Sequence, residues 1–190
     1  MLRKLSVITT ISLLTWSSVS SADYTRLEPA ADAAKSVAKM QVLMGNWHCK
    51  RQILQQDGTW QIPEQVSRWE WRYILNGHAI QDYWYPQAKD LSAPGMGTNM
   101  RIYNPKTDKW LMTWTFDKLA RFQDFEATFD EKLLVMNGDY PASAQRPAHK
   151  AKITFHNISD KHFDWKYESS NLDDGKNWLE VFRLNCDKVE

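Results

Sequence analysis

Residues 66–84, with the sequence VSRWEWRYILNGHAIQDYW, determine the predicted fold of this chain. In the first half of this stretch, large apolar side chains occupy every second position, which is the period of a β-strand with one buried face. These side chains are Trp69, Trp71, Tyr73 and Leu75. Asn76-Gly77 follows, and this dipeptide is the strongest short signal for a two-residue hairpin turn. The stretch therefore predicts an antiparallel β-hairpin.

The turn also predicts the register of this hairpin. If Asn76-Gly77 forms a two-residue loop, the residues on either side of it pair one to one, and the pairing continues outward along both strands. The expected pairs are Leu75–His78, Tyr73–Ile80, Trp71–Asp82 and Trp69–Trp84. This register places tryptophans, a tyrosine and an aspartate together on one face of the sheet.

Segments with the same period of two continue through the rest of the chain and are joined mostly by short turns. The clearest later example is the pair 98–103 and 109–116, which flank the turn at 104–108. An open antiparallel sheet of so many strands would leave unpaired edges, and closure into a barrel removes those edges. We therefore expect an all-β fold, an antiparallel up-and-down β-barrel of about 8–10 strands.

The N-terminus has the features of a secretory signal peptide. Arg3 and Lys4 precede an apolar run at 5–16, and Ser20-Ser21-Ala22 provides the small residues that a signal peptidase recognises. The apolar run is shorter than the roughly 20 residues that span a bilayer. We expect residues 1–22 to be a cleaved signal peptide and the protein to be periplasmic or secreted, with no membrane span in the mature chain. The alternative is a retained N-terminal anchor helix.

The mature chain, residues 23–190, has the size of a single domain. Its start, from Pro29 to about Leu43, predicts a short helix, because proline suits a first helical turn and alanines favour helix. Once Arg3 and Lys4 are removed, the 23 acidic residues nearly balance the basic ones. This balance argues against a nucleic-acid partner, which would need a clustered basic face.

Cys49 and Cys186 are the two cysteines of the chain. In an oxidising compartment an even number of cysteines predicts a disulfide, which here would join the first strand to the last. The alternative is a pair of unpaired, buried thiols. The five histidines show no spacing typical of a metal site, so we expect neither a metal nor a cofactor.

The segment Leu43-Met44-Gly45-Asn46-Trp47 resembles the Gly-x-Trp motif that opens the first strand in the lipocalin or calycin superfamily. The run 73–82 also resembles a hairpin of bacterial lipocalin-like domains of unknown function. The resemblance implies a barrel with an internal cavity and structural roles for Gly45 and Trp47. It further implies that Arg183, near the last strand, covers Trp47 at the closed end of the barrel.

Aromatic residues are unusually frequent, with ten tryptophans, seven tyrosines and seven phenylalanines. This many rings must fill a large core or line a cavity, so we expect the protein to bind a small apolar or amphipathic molecule. The candidate ligand-binding residues are Trp69, Trp71, Tyr73, Asp82, Trp84, Arg101, Trp110 and Trp114. In this set Asp82 and Arg101 would orient the polar end of the ligand.

Both polar candidates also have a structural interpretation. A carboxylate on an aromatic face must be hydrogen-bonded, paired or protonated, so Asp82 could simply bind Arg101, Tyr103 or an indole N–H. Arg101 would be a solvated charge if its strand face pointed outward. Three functions therefore stay open: a ligand-binding barrel, an enzyme (isomerase, cyclase or hydrolase) that uses Asp82 as acid or base, and a solidly packed adaptor that works through its outer surface.

Overall fold

The computed structural model describes residues 27–86, 96–117, 121–130, 132–142, 147–171 and 177–189, so the expected signal peptide at 1–22 lies outside the described residues. Within these ranges the chain forms a short helix, α1 (Lys35–Lys39), which continues as a 3-10 turn at Met40–Leu43. The strands are β1 (Gly45–Leu54), β2 (Trp60–Gln61), β3 (Ser67–Ile74), β4 (Ala79–Tyr85), β5 (Gly97–Asn104), β6 (Lys109–Phe116), β7 (Gln123–Phe129), β8 (Leu134–Tyr140), β9 (His149–His156), β10 (His162–Asn171) and β11 (Leu179–Val189).

The long strands form a closed antiparallel barrel. Each strand from β3 to β11 pairs with the next one along the chain, and β1 pairs with β3 on one side and β11 on the other. The β1–β11 pairing runs from Asn46–Val189 to Ile53–Phe182. The two-residue strand β2 pairs only with the end of β1 and does not form part of the barrel wall. The described residues therefore build an all-β, up-and-down barrel of ten long strands, which confirms the predicted fold class.

The β3–β4 hairpin has the predicted register, with the pairs Tyr73–Ile80, Trp71–Asp82 and Trp69–Trp84. Asn76 has a φ of 58°, and the His78 N–H donates to the Leu75 carbonyl over 3.3 Å, as a two-residue turn requires. Leu75 differs from the prediction, because its φ of 49° turns it out of the strand. Its side chain is 58% exposed and does not share the buried face.

The two ends of the barrel differ in how the strands are connected. At one end, here called the helix end, tight turns join β3–β4, β5–β6, β7–β8 and β9–β10. The Trp47 indole N–H donates to the Leu43 carbonyl (2.8 Å) and the Tyr73 hydroxyl donates to the Val37 carbonyl (2.9 Å), so the helical segment covers this end. The opposite end, here called the mouth, carries the longer connections.

The helix is shorter than predicted. Helical hydrogen bonding begins only after Ala34, whose φ and ψ of −55° and 142° are extended. The preceding chain is held by tertiary contact instead, since the Ala30 N–H donates to the Gly77 carbonyl of the β3–β4 turn over 3.1 Å. Helix propensity is a weak preference that such packing overrides. None of the described helices is long and apolar enough to cross a membrane.

A disulfide joins Cys49 to Cys186, as predicted, and these residues are direct partners in the β1–β11 pair. The same register brings Lys188, and not the expected Arg183, next to Trp47. Lys188 is the direct partner of Trp47, and its Nζ lies 5.1 Å from the centroid of the Trp47 ring. Arg183 is five residues away along β11, about 16 Å towards the mouth at the usual strand rise. There its guanidinium carbon lies 4.0 Å from the centroid of the Trp60 ring.

Candidate ligand-binding cavity

A cavity of about 350 Å³ lies inside the half of the barrel nearest the mouth. Its wall comes from the inward-facing positions of nine strands. The lining residues are Trp69, Trp84, Asn99, Arg101, Trp114, Phe116, Phe125, Met136, Tyr140, Ile153, Phe155, Trp165, Tyr167, Val181, Phe182 and Leu184. The volume and the predominance of rings and aliphatic chains are typical of a small-molecule site.

The described residues leave the cavity partly open on the side of the mouth. Several lining rings point inward and yet remain partly exposed, among them Trp114, Phe116 and Trp165. Trp84, Phe116 and Tyr140 stand at or next to the strand ends that border the mouth. In a solidly packed barrel these inward rings would be fully buried. The interior of the described barrel is therefore open at one end and filled at the other.

Four of the eight candidate ligand-binding residues lie on the cavity wall. These are Trp69, Trp84, Arg101 and Trp114. The structure does not place Trp71, Tyr73, Asp82 and Trp110 on the wall, although all four are buried. They belong to a packed layer between the cavity and the helix end, in which the Tyr73 hydroxyl binds Val37 and the Trp110 ring packs 5.5 Å from Tyr103.

A buried ion pair joins this packed layer to the cavity. Arg101 donates from Nη1 to Asp82 Oδ2, and the Trp69 indole N–H donates to Asp82 Oδ1 over 2.7 Å. Asp82 and Arg101 are 0% and 1% exposed. The Arg101 guanidinium carbon also lies 4.0 Å from the centroid of the Trp71 ring. Both carboxylate oxygens of Asp82 are therefore engaged by donors of the barrel itself, and Arg101 forms the charged part of the cavity floor.

Desolvation lowers the pKa of Arg101 well below its ordinary value, because burial penalises the charged form. The carboxylate of Asp82 and the face of Trp71 act in the opposite direction, since each stabilises a cation. A guanidinium retains its proton in proteins, so the two residues are an ion pair. Loss of either partner would destabilise the folded protein, because the remaining charge would be buried without compensation.

Two polar atoms of cavity-lining residues have no hydrogen-bond partner in the structure: Asn99 Oδ1 and Arg101 Nε. Asn99 is 2% exposed and faces Trp114 and Asp82 across its strand pairs. An unsatisfied buried polar atom costs about 1–3 kcal/mol, so native proteins keep few of them. Both atoms are themselves closed to solvent, so they lie beneath the surface of the cavity floor.

A second polar group lies at the mouth. The His149 ring stacks on Tyr140 with 5.0 Å between centroids, and its Nε2 lies 3.1 Å from the Tyr167 hydroxyl. Nδ1 lies 3.1 Å from the Pro147 carbonyl. A carbonyl can only accept, so Nδ1 carries a proton, and Nε2 shares the other hydrogen bond with the Tyr167 hydroxyl. These contacts hold both tyrosine rings in place on the cavity wall.

Sequence reasoning included none of the wall contributed by β7 to β11, and it also omitted Asn99 on β5 and Phe116 on β6. The residues it left out of the site are Asn99, Phe116, Phe125, Met136, Tyr140, Ile153, Phe155, Trp165, Tyr167, Val181, Phe182 and Leu184. The available signal was the period of two in each of these strands, which identifies inward positions. That signal gives the face of a residue and not its depth along the barrel.

The described residues contain no group of three or more His, Cys, Asp or Glu side chains placed to hold a metal ion. Comparisons with known proteins add no assignment. No protein-family model matches the sequence, and no curated protein matches it. The function is therefore inferred from the cavity and its lining residues.

Proposed function

We propose that this protein binds a small, largely apolar molecule inside a lipocalin-like barrel. The observation that carries this proposal is an internal cavity of about 350 Å³, walled by aromatic rings and reached from the mouth. Burial of apolar ligand surface against these rings supplies the affinity, at about 25 cal/mol per Å². Arg101, held by Asp82, orients the polar end of the ligand at the floor.

The Cys49–Cys186 disulfide supports a periplasmic or secreted location, because disulfides persist in oxidising compartments. The N-terminal sequence supports the same location through its charged start, apolar run and small residues before position 23. We propose that residues 1–22 are removed and that 23–190 function as one domain.

The lipocalin or calycin resemblance is supported at the level of architecture. The barrel is closed and antiparallel, and Trp47 follows Gly45 at the start of β1, where it binds the helical segment. Two features differ from the expected pattern. Lys188 takes the place over Trp47 that the resemblance assigned to Arg183, and ten long strands form the wall where lipocalins have eight.

The contacts of Asp82 favour binding over catalysis by that residue. Asp82 is fully buried, does not line the cavity and has donors on both oxygens. A general acid or base must come within hydrogen-bond reach of the proton it transfers. The open cavity likewise argues against a solidly packed adaptor. Ligand binding is therefore the function that the geometry supports best.

A titration with N-phenylnaphthylamine, a neutral apolar dye whose emission rises in apolar surroundings, tests the proposal. We expect saturable binding to the wild-type protein and displacement of the dye by members of a panel of lipids, retinoid-like molecules and haem. Met136→Trp fills the cavity from its wall and should abolish binding, since Met136 is 2% exposed and lines it. Val135→Trp is the matched control, because Val135 is the neighbouring residue on the opposite face of β8.

The proposal is overturned if the folded wild-type protein binds neither the dye nor any molecule of the panel. It is also overturned if Met136→Trp and Val135→Trp bind the dye equally well while both remain folded by circular dichroism. Native mass spectrometry of protein purified from its own host would then show directly whether any molecule accompanies the chain.

A further inference from the structure

The cavity cannot deepen towards the helix end, because the barrel interior is packed with rings there. The centroid of the Phe163 ring lies 4.7 Å from that of Trp47, 5.5 Å from that of Phe155 and 5.9 Å from that of Trp69. Phe163 and Trp47 are fully buried and do not line the cavity. Close-packed protein interiors have low compressibility, so a molecule that enters from the mouth stops above this layer.

The cavity cannot widen either, because its wall is a closed sheet. Every long strand is hydrogen-bonded to a neighbour on each side, and the Cys49–Cys186 disulfide links the β1–β11 pair covalently. The diameter of such a barrel is set by the number and tilt of its strands, and it has no edge along which strands could separate. The volume of about 350 Å³ is therefore fixed by the described wall and floor.

This volume can be converted into a ligand size. A protein cavity of about 150 Å³ binds benzene, which has six carbon atoms, so one non-hydrogen atom needs about 25 Å³. At this scale a cavity of about 350 Å³ encloses about fourteen non-hydrogen atoms. A chain of about thirteen carbons with one polar atom fills this space, and so does a pair of fused rings with short substituents.

We infer that the ligand is a single-chain or two-ring molecule, of which the barrel encloses about fourteen non-hydrogen atoms. Haem and lipids with two acyl chains are too large for this cavity and are not its ligands. The inference rests on the proposed function, because it gives the size class of the ligand of the same cavity.

The inference sets a limit on how affinity depends on chain length. Each methylene that leaves water for an apolar cavity tightens binding about fourfold. A methylene that extends beyond the mouth stays in water in both the free and the bound state, so it leaves the affinity unchanged. The size limit should therefore appear as a break in the plot of the logarithm of affinity against chain length.

A series of 1-alkanols from hexanol to hexadecanol tests this expectation on the wild-type protein. Affinities are measured by displacement of N-phenylnaphthylamine, with each alkanol kept below its solubility limit. We expect the affinity to rise about fourfold per carbon up to about tridecanol. Tridecanol and hexadecanol should then bind with equal affinity, because the additional carbons lie outside the barrel.

A variant with a larger cavity moves the break. Met136→Ala removes three non-hydrogen atoms from the wall, since Met136 is buried and lines the cavity. In this variant hexadecanol should bind more tightly than tridecanol by at least about tenfold. Val135→Ala is the matched control, because Val135 lies on the opposite face of β8, and it should keep the two affinities equal.

The inference is overturned if the affinity of the wild-type protein continues to rise about fourfold per carbon from tridecanol to hexadecanol. It is also overturned if the folded Met136→Ala and Val135→Ala variants have the same break. These results would leave the proposed function intact, because the dye and the alkanols would still bind. Failure of the dye and of every alkanol would instead refute the proposed function. If Met136→Ala does not fold, the wild-type series still decides the question.

Discussion

Cys49 and Cys186 lie directly opposite each other in the β1–β11 pair, the strand pair that closes the barrel. Their Cα atoms are 4.1 Å apart, although 137 residues separate them in the sequence. Every other pairing between long strands joins neighbours along the chain. The disulfide therefore holds together the one strand pair with the largest loop-closure entropy to overcome.

Removal of this disulfide should cost much of the stability of the barrel. In the chain-entropy model a bridge that closes so long a loop contributes roughly 4–5 kcal/mol. We expect a Cys49→Ala/Cys186→Ala double variant to lose about this amount of unfolding free energy, measured by urea denaturation. A reductant should lower the stability of the wild-type protein to a similar degree. The reductant should not change the unfolding free energy of the double variant. The account is contradicted if the wild-type protein keeps its unfolding free energy after its disulfide has been shown to be reduced.

Single substitutions in the Asp82–Arg101 pair should destabilise the protein more than removal of the whole pair. Arg101→Met leaves a buried carboxylate without its cation, and Asp82→Leu leaves a buried guanidinium without its anion. Each should cost about 3–5 kcal/mol of unfolding free energy. The Asp82→Leu/Arg101→Met double variant should recover most of that loss, apart from about 1 kcal/mol for the Trp69 N–H that loses its acceptor.

A double-mutant cycle measures this coupling. The exposed Lys150–Asp139 pair, with 3.4 Å between its charged atoms, serves as the comparison and should give a coupling of at most about 1 kcal/mol. If the losses of unfolding free energy in the two single variants add up to the loss in the double variant, the Asp82 and Arg101 side chains do not depend on each other in the folded protein.

The parts of the fold that sequence analysis predicted well are those encoded by residues close together in the chain. The period of two from Trp69 to Tyr73 and the Asn76-Gly77 turn are sufficient to specify the β3–β4 register. The structure reproduces the predicted pairs from Trp69–Trp84 to Tyr73–Ile80 but not Leu75–His78. The expected helix was wrong in length because Ala30 is held by a carbonyl of that turn, a contact between segments almost fifty residues apart that no local propensity encodes.

The site was predictable only in part for a related reason. Alternation shows that Trp71 and Trp114 face inward, but it does not show how deep each lies along the barrel. Depth depends on which end the helical segment closes and on the β1–β11 register. That register also separates Arg183 from Trp47, since it pairs Trp47 with Lys188. Asn99 carried no composition signal, and its place on the cavity wall is seen only in the structure.

Gly138 lies on the inward face of β8, between the cavity-lining residues Met136 and Tyr140, and allows a close approach to β7. A Cβ added at this position would lie 2.5 Å from the Asp124 carbonyl oxygen and 2.7 Å from Cδ1 of Phe125. We expect Gly138→Ala to cost about 1–3 kcal/mol by overpacking and to weaken dye binding, since Phe125 lines the cavity and would be displaced. Gly58→Ala meets no atom within 4 Å, although the φ of 83° makes an alanine strained there. It is therefore the comparison for dye binding alone, which it should leave unchanged. Equal dye binding by the two variants would show that Phe125 does not move.

His162 should make the stability of the protein depend on pH at the helix end of the barrel. Its Nδ1 lies 2.9 Å from Asp187 Oδ1 and its Nε2 lies 3.3 Å from Asp164 Oδ1. Burial alone would lower the pKa of His162, but the hydrogen bonds and charges of these two carboxylates outweigh it and raise the pKa above the ordinary value of 6.5.

A folded-state pKa that is higher than the unfolded-state pKa means that the folded protein binds the proton more tightly. This contribution to stability is fully present below pH 6.5. It is lost as the pH rises through the raised pKa of folded His162. Urea denaturation at a series of pH values across this window should therefore show a decline in unfolding free energy for the wild-type protein. In His162→Gln that decline should be absent, because glutamine does not titrate.

Titration of the His162 ring by NMR provides an independent measurement of the same property. Asp187→Asn removes one of the two carboxylates that bind the imidazolium, so it should lower the pKa of His162 and shift the decline in stability to lower pH. An unchanged midpoint in this variant would assign the shift to Asp164 alone. A wild-type midpoint at or below 6.5 would contradict the proposed role of both carboxylates.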